Sequence, residues 1–149
     1  MRLCGVDPGL SGAIALYRHD NRSMSVVPMP VRTDAREVDC PALLKVFEDF
    51  NPDVIWLEDV HGPFGWKFPQ AFGALICVVA LSRYRAVRVA PRTWQAAILG
   101  SCEGKTKALS IAHCQKRWPA ANIIPEGKRA PDHNRSDAVN IAEYGLLHG

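Results

Sequence analysis

Short apolar runs separated by turn-forming residues dominate the first 30 positions of the chain. Residues 2–7 and 12–17 are predicted as two strands, joined by the turn DPGLSG, whose glycines adopt dihedral angles that other residues avoid. A third predicted strand covers 23–29, where Pro28 and Pro30 end the pattern. The spacing therefore indicates an antiparallel meander of three strands.

The rest of the chain alternates between helical and strand-like periodicity. Apolar residues recur at helical spacing over 40–50, and the run VIWLE at 54–58 predicts a strand that is buried on both faces. The further predicted elements are a helix over 69–84 that is apolar nearly all round, a strand over 86–89, and helices over 92–99, 107–118 and 136–147. Three strands followed by alternating helix and strand predict an α/β domain with a five-stranded mixed sheet flanked by helices.

Length and composition are those of one globular domain over 1–149, with 48% hydrophobic residues and no apolar run long enough to span a bilayer. The first residues, MRLCGVD, lack the features of a signal peptide, so we expect a cytoplasmic protein. Five scattered cysteines without metal-ligand spacing predict reduced thiols rather than a zinc site.

Positive charge is concentrated in the second half of the chain. Between Arg83 and Arg135 there are eleven lysines and arginines against three acids. Such asymmetry is typical of a protein with a polyanionic partner, and it is equally compatible with a solvated basic surface.

Two predicted strands end in a carboxylate. Asp7 follows the first strand and Glu58 ends the strand VIWLE, so the two side chains emerge at one edge if these strands are neighbours. Asp137, near the start of the last helix, is the candidate third member, although an acid there also suits a helix N-terminus and Asp7 alone suits a turn. Clustered carboxylates repel unless a cation neutralises them, and oxygen ligands favour Mg²⁺ or Mn²⁺. Two such ions are the usual means of hydrolysing a phosphodiester.

Four segments in order, GVDPGLSG, WLEDVHG, KTKALSIA and DHNRSDAVNIAEYG, resemble the RuvC-type Holliday junction resolvases of the RNase H-like superfamily, especially the small phage and prophage members. The resemblance covers nearly the whole chain. It implies a single RNase H-like nuclease domain that resolves four-way DNA junctions by paired phosphodiester hydrolysis, in recombination and repair. It also implies two Mg²⁺ or Mn²⁺ ions per active site, and a homodimer whose two-fold interface is the helix over 69–84.

The same resemblance implies catalytic and metal-ligating roles for Asp7, Glu58 and Asp137. Asp59 is adjacent to Glu58 but is expected to point to the opposite face of the strand. Relatives commonly carry a further acid or histidine three or four residues before the last aspartate, and here the third position is Asn134, a departure. His133 and Asp132 therefore both remain candidates for the fourth metal-site residue. Either Lys105 or Lys107 matches the family's lysine near the scissile phosphate, unless both are merely solvated.

Further residues are implied in DNA binding. Phe64, Trp66 and Phe68 fall in the loop that faces the junction centre in relatives, where exposed rings stack on bases, although burial as core is an equal alternative. The basic residues expected to contact DNA are Lys67, Arg92, Lys105, Lys107, Lys128, Arg129 and Arg135.

Three other interpretations compete with this one. GVDPGLSG also resembles the first phosphate loop of actin-like and sugar-kinase ATPases, but those need a second domain and a second glycine-rich loop. An RNase H-like nuclease acting on other DNA or RNA is the nearest enzymatic alternative. A non-catalytic structure-specific DNA-binding module is the third, and the three intact acids argue against it.

Overall fold

The computed structural model describes residues 1–60, 67–100 and 104–149, including the backbone but not the side chains of Lys67 and Phe68. Seven strands are described: β1 (Arg2–Asp7), β2 (Ala13–Arg18), β3 (Ser23–Pro28), β4 (Val31–Arg32), β5 (Glu37–Val38), β6 (Val54–Glu58) and β7 (Arg85–Val89). Five helices accompany them: α1 (Cys40–Phe50), α2 (Lys67–Leu81), α3 (Pro91–Leu99), α4 (Thr106–Arg117) and α5 (His133–His148).

Five of the strands form one mixed sheet in the order β3-β2-β1-β6-β7. β1, β2 and β3 are antiparallel neighbours, whereas β6 runs parallel to β1 and β7 runs parallel to β6. The β1–β2 turn is tight, because a Cβ on Gly12 would lie 2.1 Å from the carbonyl oxygen of Asp7. The predicted five-stranded mixed sheet is therefore confirmed.

Helices cover both faces of the sheet and create two apolar clusters. The cluster on the side of α1 and α2 includes Cys4, Val6, Ile14, Leu43, Phe47, Ile55, Leu57 and Leu75. The cluster on the side of α3, α4 and α5 includes Leu3, Ala15, Tyr17, Trp56, Trp94, Val139 and Ile141. α5 contacts β1, β2, β3 and β6, so it is the central support of that face.

The start of α5 differs from the prediction by three residues. The sequence pattern placed the helix start at 136, whereas α5 begins at His133. A carboxylate oxygen of Asp132, Oδ1, accepts hydrogen bonds from the backbone N–H groups of Asn134 at 2.7 Å and Arg135 at 3.3 Å. This N-cap adds most of a helical turn before Asp137.

Two other differences concern short or flanking segments. The β4–β5 pair was not predicted, because two-residue strands carry no readable periodicity. α2 ends at Leu81 rather than at 84, and Arg83 has a left-handed φ of 64° just after it. The remaining boundaries agree with the prediction to within one or two residues.

One side of α2 is not covered by the described residues. Ala71, Leu75, Val78 and Val79 are buried on the side that faces α1 and β5. The opposite side, which we call the α2 outer face, is exposed and consists of Gly73, Cys77, Ala80 and Leu81. Their spacing places them along one stripe of the helix.

The described residues bear on the predicted state of the cysteines and on the predicted lack of a membrane-spanning segment. The four described cysteines, Cys4, Cys40, Cys77 and Cys114, are free thiols. Among the helices described, none combines the length and the apolar character needed to cross a membrane.

Candidate active site

Asp7 and Glu58 lie side by side at the carboxyl ends of two parallel strands. Val6 of β1 pairs with Leu57 of β6, so the next residue on each strand is a carboxylate. Val6 and Leu57 point into the cluster on the α1 and α2 side. Because side chains alternate along a strand, Asp7 and Glu58 point to the opposite face, which α5 covers.

Gly5 allows α5 to approach this end of the sheet closely. A Cβ at Gly5 would lie 2.3 Å from the carbonyl oxygen of Ala138 and 2.4 Å from the backbone nitrogen of Ala142. The helix backbone therefore rests directly on β1, and Asp137 in its second turn reaches the edge occupied by Asp7. Gly5 was not among the residues predicted to matter for the site, although a glycine inside a strand often indicates close backbone packing.

Burial and the charges of neighbouring carboxylates raise the pKa values of Asp7 and Glu58. Asp7 is 8% exposed and Glu58 is 9% exposed. Burial raises the pKa of Asp7, and the charges of Glu58, Asp137 and Asp132 raise it further. Burial also raises the pKa of Glu58, to about 6, with a contribution from Asp137 and against a hydrogen bond from Trp94. The carboxylates predicted at this edge are thus close enough to interact.

Asp137 lies between acidic and basic neighbours. Burial raises its pKa, whereas the Ser110 hydroxyl and the charges of His133 and Lys107 lower it. The charge of Asp132 raises the pKa of Asp137. His133 and Asp132 therefore both lie close to Asp137, and α5 extends far enough to place His133 one turn before it, on the same side.

Glu58 and Asp137 each accept a hydrogen bond from an uncharged side chain on one of their two carboxylate oxygens. The indole N–H of Trp94 donates to Oε1 of Glu58 at 2.8 Å. The hydroxyl of Ser110 donates to Oδ1 of Asp137, and Nδ2 of Asn140 donates to Oγ of Ser110 at 2.8 Å. Trp94, Ser110 and Asn140 were not predicted from the sequence, because a single Trp, Ser or Asn inside a helix shows no pattern.

The structure separates the two candidate lysines. Lys107, in the first turn of α4, is near enough for its charge to lower the pKa of Asp137. Lys105 is the exposed N-cap residue of α4. Asp59 lies within 3.8 Å of Arg88, whose guanidinium also lies over the ring of Phe72 in α2. Asp59 therefore belongs to the face opposite Glu58, as expected.

The remaining residues proposed for DNA contact divide into three groups. Arg92, Lys128 and Arg129 are exposed. Arg135 is partly buried and donates to the carbonyl oxygen of Asn122 at 3.1 Å. Phe64 and Trp66, together with the side chains of Lys67 and Phe68, lie outside the described residues.

The described part of the chain contains no three His, Cys, Asp or Glu side chains that could hold one metal ion as they stand. The donor chemistry nevertheless suits a hard divalent cation, because three partly or fully buried carboxylates supply oxygen ligands at one edge of the sheet. The arrangement is therefore a cluster of acids, bordered by Lys107, that a cation would stabilise.

Comparison with known proteins relates this geometry to solved structures. No family model and no curated protein matches the chain. Thermus thermophilus RuvC matches with a TM-score of 0.65 at 16% identity, over 99% of this chain and 97% of RuvC. The fowlpox virus Holliday junction resolvase matches with a TM-score of 0.67 at 14% identity, over 100% of both chains. The yeast mitochondrial Holliday junction resolvase matches with a TM-score of 0.61 at 12% identity, over 99% of this chain and 82% of the yeast chain. The chain therefore shares the RNase H-like fold of the RuvC-type Holliday junction resolvases.

Proposed function

We propose that this protein is a metal-dependent endonuclease that resolves four-way DNA junctions by paired phosphodiester hydrolysis. The observation that carries the proposal is the convergence of Asp7, Glu58 and Asp137 on one face and one edge of the sheet. Structures with the same fold include T. thermophilus RuvC and the fowlpox resolvase, each in complex with Holliday junction DNA. These complexes support a four-way junction as the substrate.

The proposed metal ligands are Asp7, Glu58 and Asp137, with His133 or Asp132 as a fourth. A cation is favoured there because burial and like charges raise the pKa values of all three carboxyl groups. Mg²⁺ or Mn²⁺ suits the carboxylate oxygens of this set. Two ions are proposed because a pair of ions is the usual means of hydrolysing a phosphodiester. When bound, such a pair lowers the pKa of water and stabilises the leaving oxygen of an in-line displacement.

The protein's own groups orient the carboxylates and the phosphate. Ser110, fixed by Asn140, limits the rotation of the Asp137 carboxylate. Lys107 is exposed beside Asp137, where its ammonium group can contact the scissile phosphate and stabilise developing negative charge. We assign the family's lysine role to Lys107 on this basis, with Lys105 as a contact to the DNA backbone.

Exposed cations surround this edge of the fold and are proposed to contact phosphates. Arg92 lies in the first turn of α3, Lys107 lies in the first turn of α4, and Lys128 and Arg129 precede α5. Contacts of this kind release counterions, so junction affinity should fall steeply with salt concentration. An affinity that is flat from 50 to 200 mM salt would contradict this assignment of the basic surface.

A homodimer is part of the proposal, because a four-way junction is two-fold symmetric and two cuts need two active sites. The α2 outer face is the proposed interface. It is apolar, and Leu81 is 81% exposed there. Small side chains at Gly73, Cys77 and Ala80 permit close approach of a second helix. The whole described chain is proposed to act as one nuclease domain.

The deciding experiment incubates the protein with four-way, forked and linear DNA of matched sequence, with Mg²⁺ or with a chelator. We expect Mg²⁺-dependent cleavage of the four-way junction, with symmetric nicks in strands of like polarity. Asp7→Asn is the inactive control, because it removes one proposed ligand with little change of shape. Equal cleavage of linear and four-way DNA would instead indicate a general RNase H-like nuclease. Junction binding without cleavage by the unaltered protein would indicate a non-catalytic DNA-binding module.

A further inference from the structure

Trp94 connects the third helix to the candidate active site. Its side chain is fully buried, and its indole N–H donates to Oε1 of Glu58 at 2.8 Å. Trp94 lies in the first turn of α3, where its backbone N–H reaches the carbonyl oxygen of Ala90 at 3.3 Å. The helical backbone and the close packing around the ring therefore fix the orientation of the indole, so its N–H points at Glu58 in one direction.

We propose that Trp94 is a positioning residue that holds the Glu58 carboxylate through Oε1 and leaves Oε2 to bind a divalent cation. This inference rests on the proposed function. An indole has one N–H and no charge, so it can engage one oxygen without neutralising the carboxylate. A lysine or arginine in its place would compete electrostatically with the cation.

A second buried carboxylate in the same fold shows the contrasting case. Glu143 in α5 is 6% exposed and also receives an indole N–H, from Trp118, at 2.9 Å on Oε2. Oε2 of Glu143 additionally lies 2.9 Å from Nε2 of His113, and its Oε1 accepts from Nε of Arg117 at 3.2 Å. Both oxygens of Glu143 are therefore engaged by α4 and its C-cap residue, and this carboxylate serves helix packing.

Glu58 differs from Glu143 in that the described residues supply a donor to one of its oxygens alone. Asp137 shows the same one-sided pattern, because the Ser110 hydroxyl binds its Oδ1. Two of the three acids proposed as metal ligands, Glu58 and Asp137, are thus each held by one neutral donor, whereas both oxygens of Glu143, which is not a proposed ligand, are engaged. An oxygen of Glu58 is therefore left for a cation, whereas neither oxygen of Glu143 is.

The test measures Mn²⁺ binding to the DNA-free protein by calorimetry in the wild type, Trp94→Phe and Trp118→Phe. Both variants lose an indole donor to a buried glutamate and keep an aromatic ring. We expect Trp94→Phe to weaken Mn²⁺ binding about 10- to 100-fold, the range seen when outer-shell hydrogen bonds to metal ligands are lost. Trp118→Phe should leave the affinity unchanged. Equal weakening in both variants, or none in Trp94→Phe, would overturn the proposal.

Glu58→Gln separates a failure of this inference from a failure of the proposed function. If Glu58→Gln leaves Mn²⁺ binding unchanged, the proposed metal site is wrong. If Glu58→Gln weakens binding while Trp94→Phe does not, only the positioning role is wrong. In the Glu58→Gln background we expect Trp94→Phe to have no further effect, because the two residues act through one interaction.

A measurement on the wild type covers the case in which Trp94→Phe does not fold. The indole ¹⁵N–¹H signal of Trp94 is followed during Mg²⁺ titration, with the signals of Trp56, Trp66 and Trp118 assigned from their Phe variants. We expect the Trp94 signal to shift with the same midpoint as a calorimetric titration with Mg²⁺, whereas the Trp118 signal stays in place. A Trp94 signal that does not respond to saturating Mg²⁺ would overturn the proposal.

Discussion

Gly5 and Ala138 are in direct backbone contact, since a Cβ at Gly5 would lie 2.3 Å from the carbonyl oxygen of Ala138. This contact sets the distance between β1, which carries Asp7, and α5, which carries Asp137. The depth at which the helix sits on the sheet therefore determines whether the carboxylates meet.

Gly5→Ala should push α5 away from β1, because neither backbone can move aside as a flexible side chain does. We expect the free energy of unfolding to fall by about 1–3 kcal/mol, as in overpacked cores, and junction cleavage to be lost. Gly73→Ala is the matched control for unfolding of the single subunit, where a Cβ at Gly73 meets nothing within 4 Å, and it is compared at concentrations that dissociate the proposed dimer. That exposed helical position should gain about 0.5–1 kcal/mol from the same change. Urea unfolding compares the two, and equal effects would contradict the close contact.

Asp137→Asn should abolish cleavage while junction binding is retained. The amide keeps an acceptor oxygen for the Ser110 hydroxyl, and it removes a charge that a metal needs. Cleavage rates and junction affinity are measured on the same preparations. Glu126→Gln, at an exposed position, is the control and should cleave at the wild-type rate. Cleavage by Asp137→Asn at more than about one-tenth of the wild-type rate would argue against a ligand role.

His133→Ala and Asp132→Asn together identify the fourth metal-site residue. Asparagine is as good an N-cap as aspartate, so Asp132→Asn keeps α5 intact and tests the charge alone. We expect His133→Ala to slow cleavage, because His133 lies one turn before Asp137. If Asp132→Asn does not cleave and His133→Ala cleaves at the wild-type rate, the fourth metal-site residue is Asp132. If neither change slows cleavage, the other three acids suffice.

The raised pKa of Glu58 predicts a pH-dependent cost in stability when metal is absent. In the folded protein this pKa is about 6, against an ordinary value of 4.5, so the fold binds the proton more tightly than the unfolded chain does. Protonated Glu58 contributes its full stabilising free energy below pH 4.5, where the folded and the unfolded chain both carry the proton. This contribution is lost as the pH rises through about 6, the pKa of Glu58 in the folded protein. The loss amounts to about 2 kcal/mol.

Glu58→Gln should therefore be more stable than the wild type at pH 7 in a chelator, and about equal to it at pH 4. Thermal unfolding at both pH values measures the difference, with the exposed Glu48→Gln as control. Added Mg²⁺ should stabilise the wild type and not the variant. A Glu58→Gln protein that is less stable at pH 7 would contradict the pKa assignment.

Charge on the α2 outer face should dissociate the proposed dimer without unfolding the subunit. Leu81→Glu and Cys77→Glu place a carboxylate on exposed positions, whereas Val78 points into the core and is unsuitable for this test. Leu147→Glu is the matched control, because Leu147 is an exposed leucine on α5. Sedimentation at micromolar concentration should show a dimeric wild type and control, and monomeric variants. A monomeric wild type would contradict the interface.

Much of the fold could be predicted from the sequence, because strand and helix periodicities are local properties of the chain. The edge position of Asp7 and Glu58 followed from two apolar runs that each end in an acid. The start of α5 was ambiguous, because Asp132 and Ser136 are both good N-cap residues and only the folded chain selects between them. Local pattern cannot choose between two adequate caps.

The hydrogen bonds that orient Glu58 and Asp137 could not be predicted from the sequence, because each joins two different elements. Trp94 and Glu58 belong to different elements, as do Ser110 and Asp137. Such pairs depend on how α3 and α4 pack against the sheet and α5, and no spacing along the chain encodes that packing. The two candidate lysines, Lys105 and Lys107, were likewise separated only by the orientation of α4.

The contact of α5 with β1 also has a consequence for biosynthesis. Asp7 leaves the ribosome before the helix that carries Asp137 and covers β1, because β1 precedes α5 along the chain. Until then the β1 edge lacks one of its three acids, and Gly5 has no helix against it. A nascent or prematurely terminated chain therefore has an incomplete active site, so the proposed nuclease activity begins only when synthesis has passed α5.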